Sequence, residues 1–374
     1  MKIYLVGGAV RDQLLNISVI DKDYLVVGSS PQEMLDLGFK PIGKDFPVFL
    51  HPKTKEEYAL ARTEKKVGIG HKGFTFYASP EVTLEQDLER RDITINAIAV
   101  DANNNYIDPF NGIDDLKKNV IRHVSSAFEE DPLRVLRVAR FKAKLNSFTI
   151  HEKTYDLMNR IVRSGEINNL SAERMMMELK KGFEEEHAFS MLEVLNDCGA
   201  IDYIFPKIEF KNNKDKIKNV LDASHHLCKS APNKRLLLFL LAANSIENNI
   251  DNRIYENIKK ISLPSVEKIL IELIEKNISE LVRFSSIENS KKLDLLYRFD
   301  FFRRPEILNE SFELIELIKK DNENHSLLIE LSRKLIKNFQ KLIRNNQNEI
   351  DKSLSGEQIK KAIYEERLLL IKKL

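Results

Sequence analysis

A chain of 374 residues is long for one domain and implies at least two. Its 43% hydrophobic content supports a sizeable core, and 59 basic against 57 acidic residues leave a formal charge of only +2. That balance excludes a polycation, so any nucleic-acid surface must come from local clustering. Cys198 and Cys228 are the only cysteines, which excludes a disulfide framework and fits a reducing cytosol. No apolar run is long enough to span a membrane, and the N-terminus enters a strand without a signal-peptide pattern. These features together suit a cytoplasmic protein with no membrane partner.

Residues 2–6 form a short apolar run that stops at Gly7-Gly8, and residues 9–15 then read as a helix. A second run, 19–27, carries Asp21 and Asp23 two residues apart, on one face of a strand. Two unpaired carboxylates on one face repel each other and are costly to bury. A divalent cation removes that cost, and Mg²⁺ usually takes one or two carboxylates plus substrate phosphates. The glycine turn lets backbone approach a phosphate, the following helix start offers free N–H donors, and Arg11 adds a guanidinium. Either half alone is an ordinary strand end. Together, within one short unit, they point to metal-assisted phosphoryl or nucleotidyl transfer.

Residues 46–50 and 56–61 read as two strands joined by the turn at 51–55, extending the sheet. Glu57 is then either a third carboxylate near the metal or a strand-edge glutamate, and the sequence does not choose. Residues 62–80, with Gly68, Gly70 and Gly73 among lysines, read as a mobile loop. A short helix from Leu84 leads into Arg90-Arg91-Asp92, where Arg91 is a candidate phosphate clamp; the plain alternative is a surface ion pair.

From about residue 117 the pattern turns helical. Asp131-Pro132 makes a good helix start for residues 131–144. Pro132, Val135, Leu136, Ala139 and Ala143 share an apolar face, while Arg134, Arg137 and Arg140 recur every third residue on another stripe. That stripe is either a solvated basic face paired with Glu129 and Glu130 or, given Val138 and Phe141 beside it, the wall of a partly enclosed cleft. Ser171 reads as an N-cap, Arg174 and Glu178 as an i,i+4 pair, and Met175-Met176-Met177 as core filling. Residues 185–374 are almost entirely helix-forming, with basic clusters at 333–334, 341–344 and 372–373 of the kind a tRNA-sized polyanion needs.

The motifs LVGGAVRD at 5–12, Asp21-Lys22-Asp23, ALARTE at 59–64, RRDITINA at 90–97, DPFNG at 108–112, EDPLRVLRVARF at 130–141 and SAER at 171–174 occur in one order. This set resembles the bacterial class II tRNA nucleotidyltransferases, the CCA-adding enzymes of the polymerase-beta-like superfamily, over roughly the first half of the chain. The resemblance implies an α+β protein with a small N-terminal nucleotidyltransferase sheet, the head, at 1–115. An all-helical remainder follows, with a neck for base recognition at 116–185 and a tRNA-binding body and tail at 186–374. It implies that Asp21 and Asp23 hold Mg²⁺, that Gly8, Arg11 and Arg91 bind the nucleotide's phosphates or sugar, and that Asp131, Arg134, Arg137 and Arg140 line the nucleotide helix. The implied partners are the tRNA 3′ end, CTP and ATP, with monomer or homodimer undecided. Poly(A) polymerase and CC- or A-adding specialists share these motifs and stand as alternatives.

The chemistry of an Asp–Arg pair can be argued directly. Cytosine and adenine both present an exocyclic amine beside a ring-nitrogen acceptor, which suit a carboxylate and a guanidinium respectively. Uracil and guanine present the reverse and leave both side chains unpaired, at a cost of a few kcal/mol. Asp131 and Arg134 are the pair assigned by resemblance. Longer relatives add a His-Asp phosphohydrolase domain. This chain has no His-Asp dipeptide, only adjacent His225-His226 and then His325 in its second half, so no intact domain of that kind is expected.

Overall fold

The structure is a computed structural model that describes residues 1–42, 48–66, 74–228, 231–244, 253–319, 323–345 and 355–373. Its organising layer is a mixed sheet of β1 (Lys2–Val6), β2 (Asp23–Val27), β3 (Lys40–Ile42), β4 (Val48–Leu50), β5 (Glu57–Leu60), β8 (Ala99–Val100) and β9 (Tyr106–Ile107), in the order β3-β4-β5-β2-β1-β8-β9. Between β5 and β8 the chain forms β6 (Arg62–Lys66) and β7 (Phe74–Ala78), which pair with each other. β2 runs antiparallel to β1 and parallel to β5, and Asp23 and Glu57 are partners in that register. The strand ends carrying Val6, Asp23 and Glu57 therefore lie side by side.

Both sides of the sheet are packed. Val6, Leu25, Ala61, Val82, Leu84, Leu88, Ala97 and Ala99 form one buried cluster, and Val26, Met34, Phe39, Phe49, Tyr58 and Leu60 another. Alternating side chains of β2 serve opposite clusters, as strand geometry requires. Among the described residues, three α-helices belong to this part: α1 (Gly8–Leu14), α2 (Pro31–Asp36) and α3 (Leu84–Glu89). Ser30 and Thr83 start α2 and α3 with complete capping boxes.

Two expectations need correction. Residues 62–80 are not a plain loop: Arg62–Lys66 and Phe74–Ala78 pair antiparallel as β6 and β7, with 67–73 outside the described residues. Backbone ladder bonds form whatever the side chains, so the Lys- and Gly-rich composition hid the hairpin. The strand expected over 19–27 begins only at Asp23, and Asp21 lies in the irregular segment before it.

Beyond the sheet come α4 (Gly112–Lys117), a two-stranded parallel pair β10 (Val120–Ile121) and β11 (Thr149–Ile150), α5 (Leu133–Lys144), α6 (Glu152–Arg163), α7 (Ala172–Glu184), α8 (Ala188–Asp197) and α9 (Ile201–Ile204). α5 is central: Val135, Val138 and Ala139 are fully buried, and α7 and α8 pack on it. The chain divides into two compact units, Met1–Ile204 and Phe205–Leu374. The second unit contains α10 (Lys214–Ser224), α11 (Pro232–Ala243), α12 (Arg253–Lys260), α13 (Ser265–Val282), α14 (Asn289–Arg298), α15 (Pro305–Lys319), α16 (Glu323–Asn345) and α17 (Gly356–Ile371). Its core gathers around α11, whose Leu236–Ala243 segment is at most 1% exposed. No helix among the described residues is long and apolar enough to cross a membrane.

Candidate nucleotide site

Gly7 closes β1 at φ 73° and ψ −136°, a conformation open to glycine and strained for any residue with a Cβ. A Cβ here would stand 3.2 Å from Arg91 Nη1 and 3.9 Å from Asp23 Oδ2. The bare turn lets the guanidinium and the carboxylate close on it. Gly8 follows as the first residue of α1.

This turn forms one wall of a cleft of about 460 Å³, a size within the range of small-ligand sites. Asp23 and Glu57 come from the sheet, Gly7 and Gly8 from the turn into α1, Arg90, Arg91, Asp92 and Asn96 from the segment after α3, Asp131, Arg134 and Arg137 from the start of α5, and Arg174 from α7. Among the described residues, five arginines face four carboxylates here, an excess of positive charge suited to phosphates. Arg91 Nε is buried without a hydrogen-bond partner among the described residues, so one guanidinium donor remains available.

Carboxylates hold the arginines in place. Asp87, fully buried, pairs with Arg90 at 2.8 Å and Arg91 at 3.3 Å. Burial alone would raise its carboxyl, but the charges of Arg90 and Arg91, with hydrogen bonds from Arg90 and the Arg62 amide, outweigh that and hold it low. Asp92, 6% exposed, accepts from Arg137 Nη2 at 2.7 Å and Nε at 2.8 Å, from Asn96 Nδ2 at 3.3 Å and from the Ile93 amide at 2.9 Å. Burial again pushes upward, yet the charge and bonds of Arg137, with Arg134 and Asn96, bring Asp92 down to about 2. Glu178 of α7 accepts from Arg140 Nε at 2.6 Å and lies 3.5 Å from Arg137 Nη1. Arg134 is 7% exposed and donates to the carbonyl of Arg90.

Of the residues singled out from sequence, the structure brings Gly8, Asp23, Arg91, Asp131, Arg134 and Arg137 together in the cleft. Asp21 is exposed, just ahead of β2, near enough for its charge to raise the Asp23 carboxyl further after burial has done so; Arg91 partly offsets both. Arg11 and Arg140 stand behind the cleft. Arg11 is 3% exposed and donates to Asp12 at 2.7 Å and Asn96 at 2.8 Å. Arg140 lies over the Phe141 ring at 4.3 Å and bonds Glu178. Glu57 faces the cleft, but no group of three or more His, Cys, Asp or Glu is arranged to hold a metal among the described residues.

Two residues of the arginine stripe, Arg134 and Arg137, line the cleft while Arg140 lies behind it; Asp92 and Glu178 hold Arg137 and Arg140, and Glu129 pairs with Arg160 instead. The expected Arg174–Glu178 pair within α7 does not form. Arg174 reaches Asp131 and Glu178 reaches Arg140 of α5, because partners that packing brings into sheltered charge-assisted contact outcompete a same-helix pair worth a few tenths of a kcal/mol. Met175 and Met176 are buried, whereas Met177 is 60% exposed. Asp92, Asn96, Arg174 and Glu178 escaped the sequence reading as site residues. Each sits inside a quoted motif or on the same helix face as one, and that was the available signal.

This fold and cleft define a nucleotidyltransferase: residues 3–122 match the poly A polymerase head domain family, and residues 147–211 match the family described as the probable RNA and SrmB-binding site of polymerase A. Over 375 aligned residues the chain is 40% identical to the CCA-adding enzyme of Coxiella burnetii, covering all of this chain and 96% of that one. It is 56% identical over 209 residues to the multifunctional CCA protein of Methylobacillus flagellatus, across 56% of this chain and 51% of the relative. A CCA-adding enzyme solved with CTP superimposes with TM-score 0.69 at 26% identity, covering 100% and 87% of the two chains. The Thermotoga maritima CCA-adding enzyme complexed with tRNA gives 0.67 at 25%, covering 100% and 87%. The chain belongs to the CCA-adding enzyme family.

Proposed function

We propose that this chain adds and repairs the 3′-terminal CCA of tRNA, taking CTP and ATP without a template and releasing pyrophosphate. The observation that carries this reading is the full-length 40% identity to a CCA-adding enzyme, which favours it over poly(A) polymerase. The cleft supports it with a glycine turn, a phosphate-sized excess of arginine and an Asp–Arg pair at the start of α5. The substrate being tRNA, the working compartment under this reading is the cytoplasm.

The donor set fits a divalent cation. Asp23 and Asp21 are hard oxygen donors; burial first and the neighbouring Asp21 charge second raise the Asp23 carboxyl, against the lowering effect of Arg91, a burden a cation relieves. With no three-residue protein cage among the described residues, the other ligands would be substrate phosphate and water, the usual manner of Mg²⁺. Mg²⁺ bound there would neutralise charge at the α-phosphate and favour ionisation of the attacking hydroxyl. The chain's own residues then have separable tasks. Gly7 and Gly8 let the phosphates approach the backbone, and Arg91 donates to them through its available Nε. Asp131 accepts from the base amine, and Arg134 donates to the ring nitrogen. Asp92 and Glu178 keep Arg137 fixed as a positive wall. So placed, the tRNA 3′-hydroxyl attacks the α-phosphate in line, and positioning with charge neutralisation lowers the barrier.

The test is incubation of the protein with Mg²⁺, tRNA lacking its 3′ CCA, and the four nucleotides singly and together. Two C and one A, then arrest, is the expected product. Long A tails would mean a poly(A) polymerase, arrest after two C a CC-adding specialist, and no incorporation with tRNA still bound a non-catalytic binder.

A further inference from the structure

Arg174 reaches the cleft from α7, two helices away in sequence from the start of α5. Its guanidinium grips Asp131 as a fork: Nη2 donates to Oδ2 at 2.8 Å and Nη1 to Oδ1 at 3.3 Å. The Leu133 amide donates to the same Oδ1 at 3.1 Å. The pair is sheltered, with both side chains about one-fifth exposed at 21% and 20%. The root of Arg174 is fixed as well, since Ser171 accepts its backbone N–H at 3.4 Å as the α7 cap.

An ionised carboxylate offers about four lone-pair positions. Oδ1 already has two donors and Oδ2 has one. Among the described residues, a single acceptor position therefore stays open on Asp131. We propose that Arg174 is a positioning residue for nucleotide selection: by holding Asp131 in this orientation it leaves one acceptor, which suits the single exocyclic amine edge of cytosine or adenine. This rests on the reading of Asp131 and Arg134 as the base-recognition pair. A carboxylate released from the fork turns about its own bond and admits a water. That water can donate both to the carboxylate and to the carbonyl of uracil or guanine. Selectivity then falls, although the recognition residues are intact.

The experiment is steady-state incorporation of each of the four nucleotides by the wild type and by Arg174→Ala, Arg174→Lys and Asp131→Ala, with kcat and KM read separately. For Arg174→Ala the kcat/KM preference for CTP over UTP, and for ATP over GTP, is expected to fall about tenfold or more, where tenfold is about 1.4 kcal/mol. Arg174→Lys keeps the charge but not the fork, so it recovers overall rate while the preference stays low. A uniform fall for all four nucleotides, or full recovery of the preference by lysine, overturns the proposal and leaves Arg174 as a source of charge. If Arg174→Ala does not fold, the lysine variant decides alone: a wild-type preference overturns the proposal. Failure of the underlying reading looks different. In that case the wild type shows no preference, or Asp131→Ala keeps it.

Discussion

Asp92 carries a charge that its surroundings tolerate only because Arg137 stands beside it. Its carboxyl, 3.8 when unfolded, sits at about 2 in the fold. A depressed carboxyl stabilises the fold above the unfolded value and loses that contribution as pH falls through the folded one. The window here runs from about 4 down to about 2, and the shift is worth on the order of 2 kcal/mol. Asp92→Asn should therefore lower stability near pH 7 by about that amount, with the deficit vanishing towards pH 2. Urea melts at several pH values check this, and a pH-independent deficit would count against it. Gly112 gives a second residue-scale prediction. A Cβ there would lie 2.2 Å from the Thr94 carbonyl oxygen and 2.8 Å from its carbon, so backbone must move. Gly112→Ala should cost about 3 kcal/mol and weaken nucleotide binding, because the displaced segment carries Asn96. An unchanged melting temperature would refute it.

At the scale of elements, α5 is the buried helix on which α7 and α8 pack, and α7 holds two of its arginines. Glu178 is 5% exposed and meets Arg140 and, at longer range, Arg137. Removing one member of a buried ionic group leaves the others uncompensated, typically at about 3–5 kcal/mol. Glu178→Ala should thus destabilise the first unit by about 3 kcal/mol and raise KM for nucleotides. Glu178→Gln, which keeps the acceptor oxygen, should recover part of both. A Glu178→Ala protein with wild-type melting and kinetics would show that the α5–α7 bridge carries no weight. The elements themselves were readable to different degrees. Asp131-Pro132 announced α5 to within two residues of its observed start, and Ser171 capped α7 as its sequence position implied. The β6–β7 pairing of 62–66 with 74–78 was not readable, because the lysines and glycines of the segment signal a loop and backbone ladder bonds need no particular side chains.

For the molecule as a whole, a net charge of +2 provides no general attraction to RNA. Association must draw on local arginine and lysine groups, such as Arg333, Lys334, Lys337, Lys341 and Arg344 of α16, whose spacing places them within one arc of the helix. Two of the five are engaged, Arg333 with Glu316 and Lys334 with Glu330. Because polyanion binding releases counterions, tRNA affinity should fall by at least about tenfold between roughly 50 and 200 mM salt. KM for CTP should change much less. Filter binding and nucleotide kinetics in a salt series measure both, and parallel losses would place the salt-sensitive contacts in the nucleotide cleft instead.

The residues by themselves determined the chemistry. Glycine-glycine after a strand, an aspartate opening the next and arginines every third position on a helix are local patterns, each set by backbone geometry within a few residues, and they announced the fold class and one part of the cleft lining, Gly8, Asp23, Arg91, Asp131, Arg134 and Arg137. Only the tertiary structure decided which charges meet. Arg11 and Arg140 resemble Arg91 and Arg137 in sequence, yet Asp12, Asn96 and Glu178 engage them behind the cleft. Arg174 looked like the partner of Glu178 four residues on, and the fold gave it to Asp131. A buried guanidinium must be neutralised by whichever carboxylate the packing brings nearest, and here those carboxylates lie from one to 45 residues away along the chain.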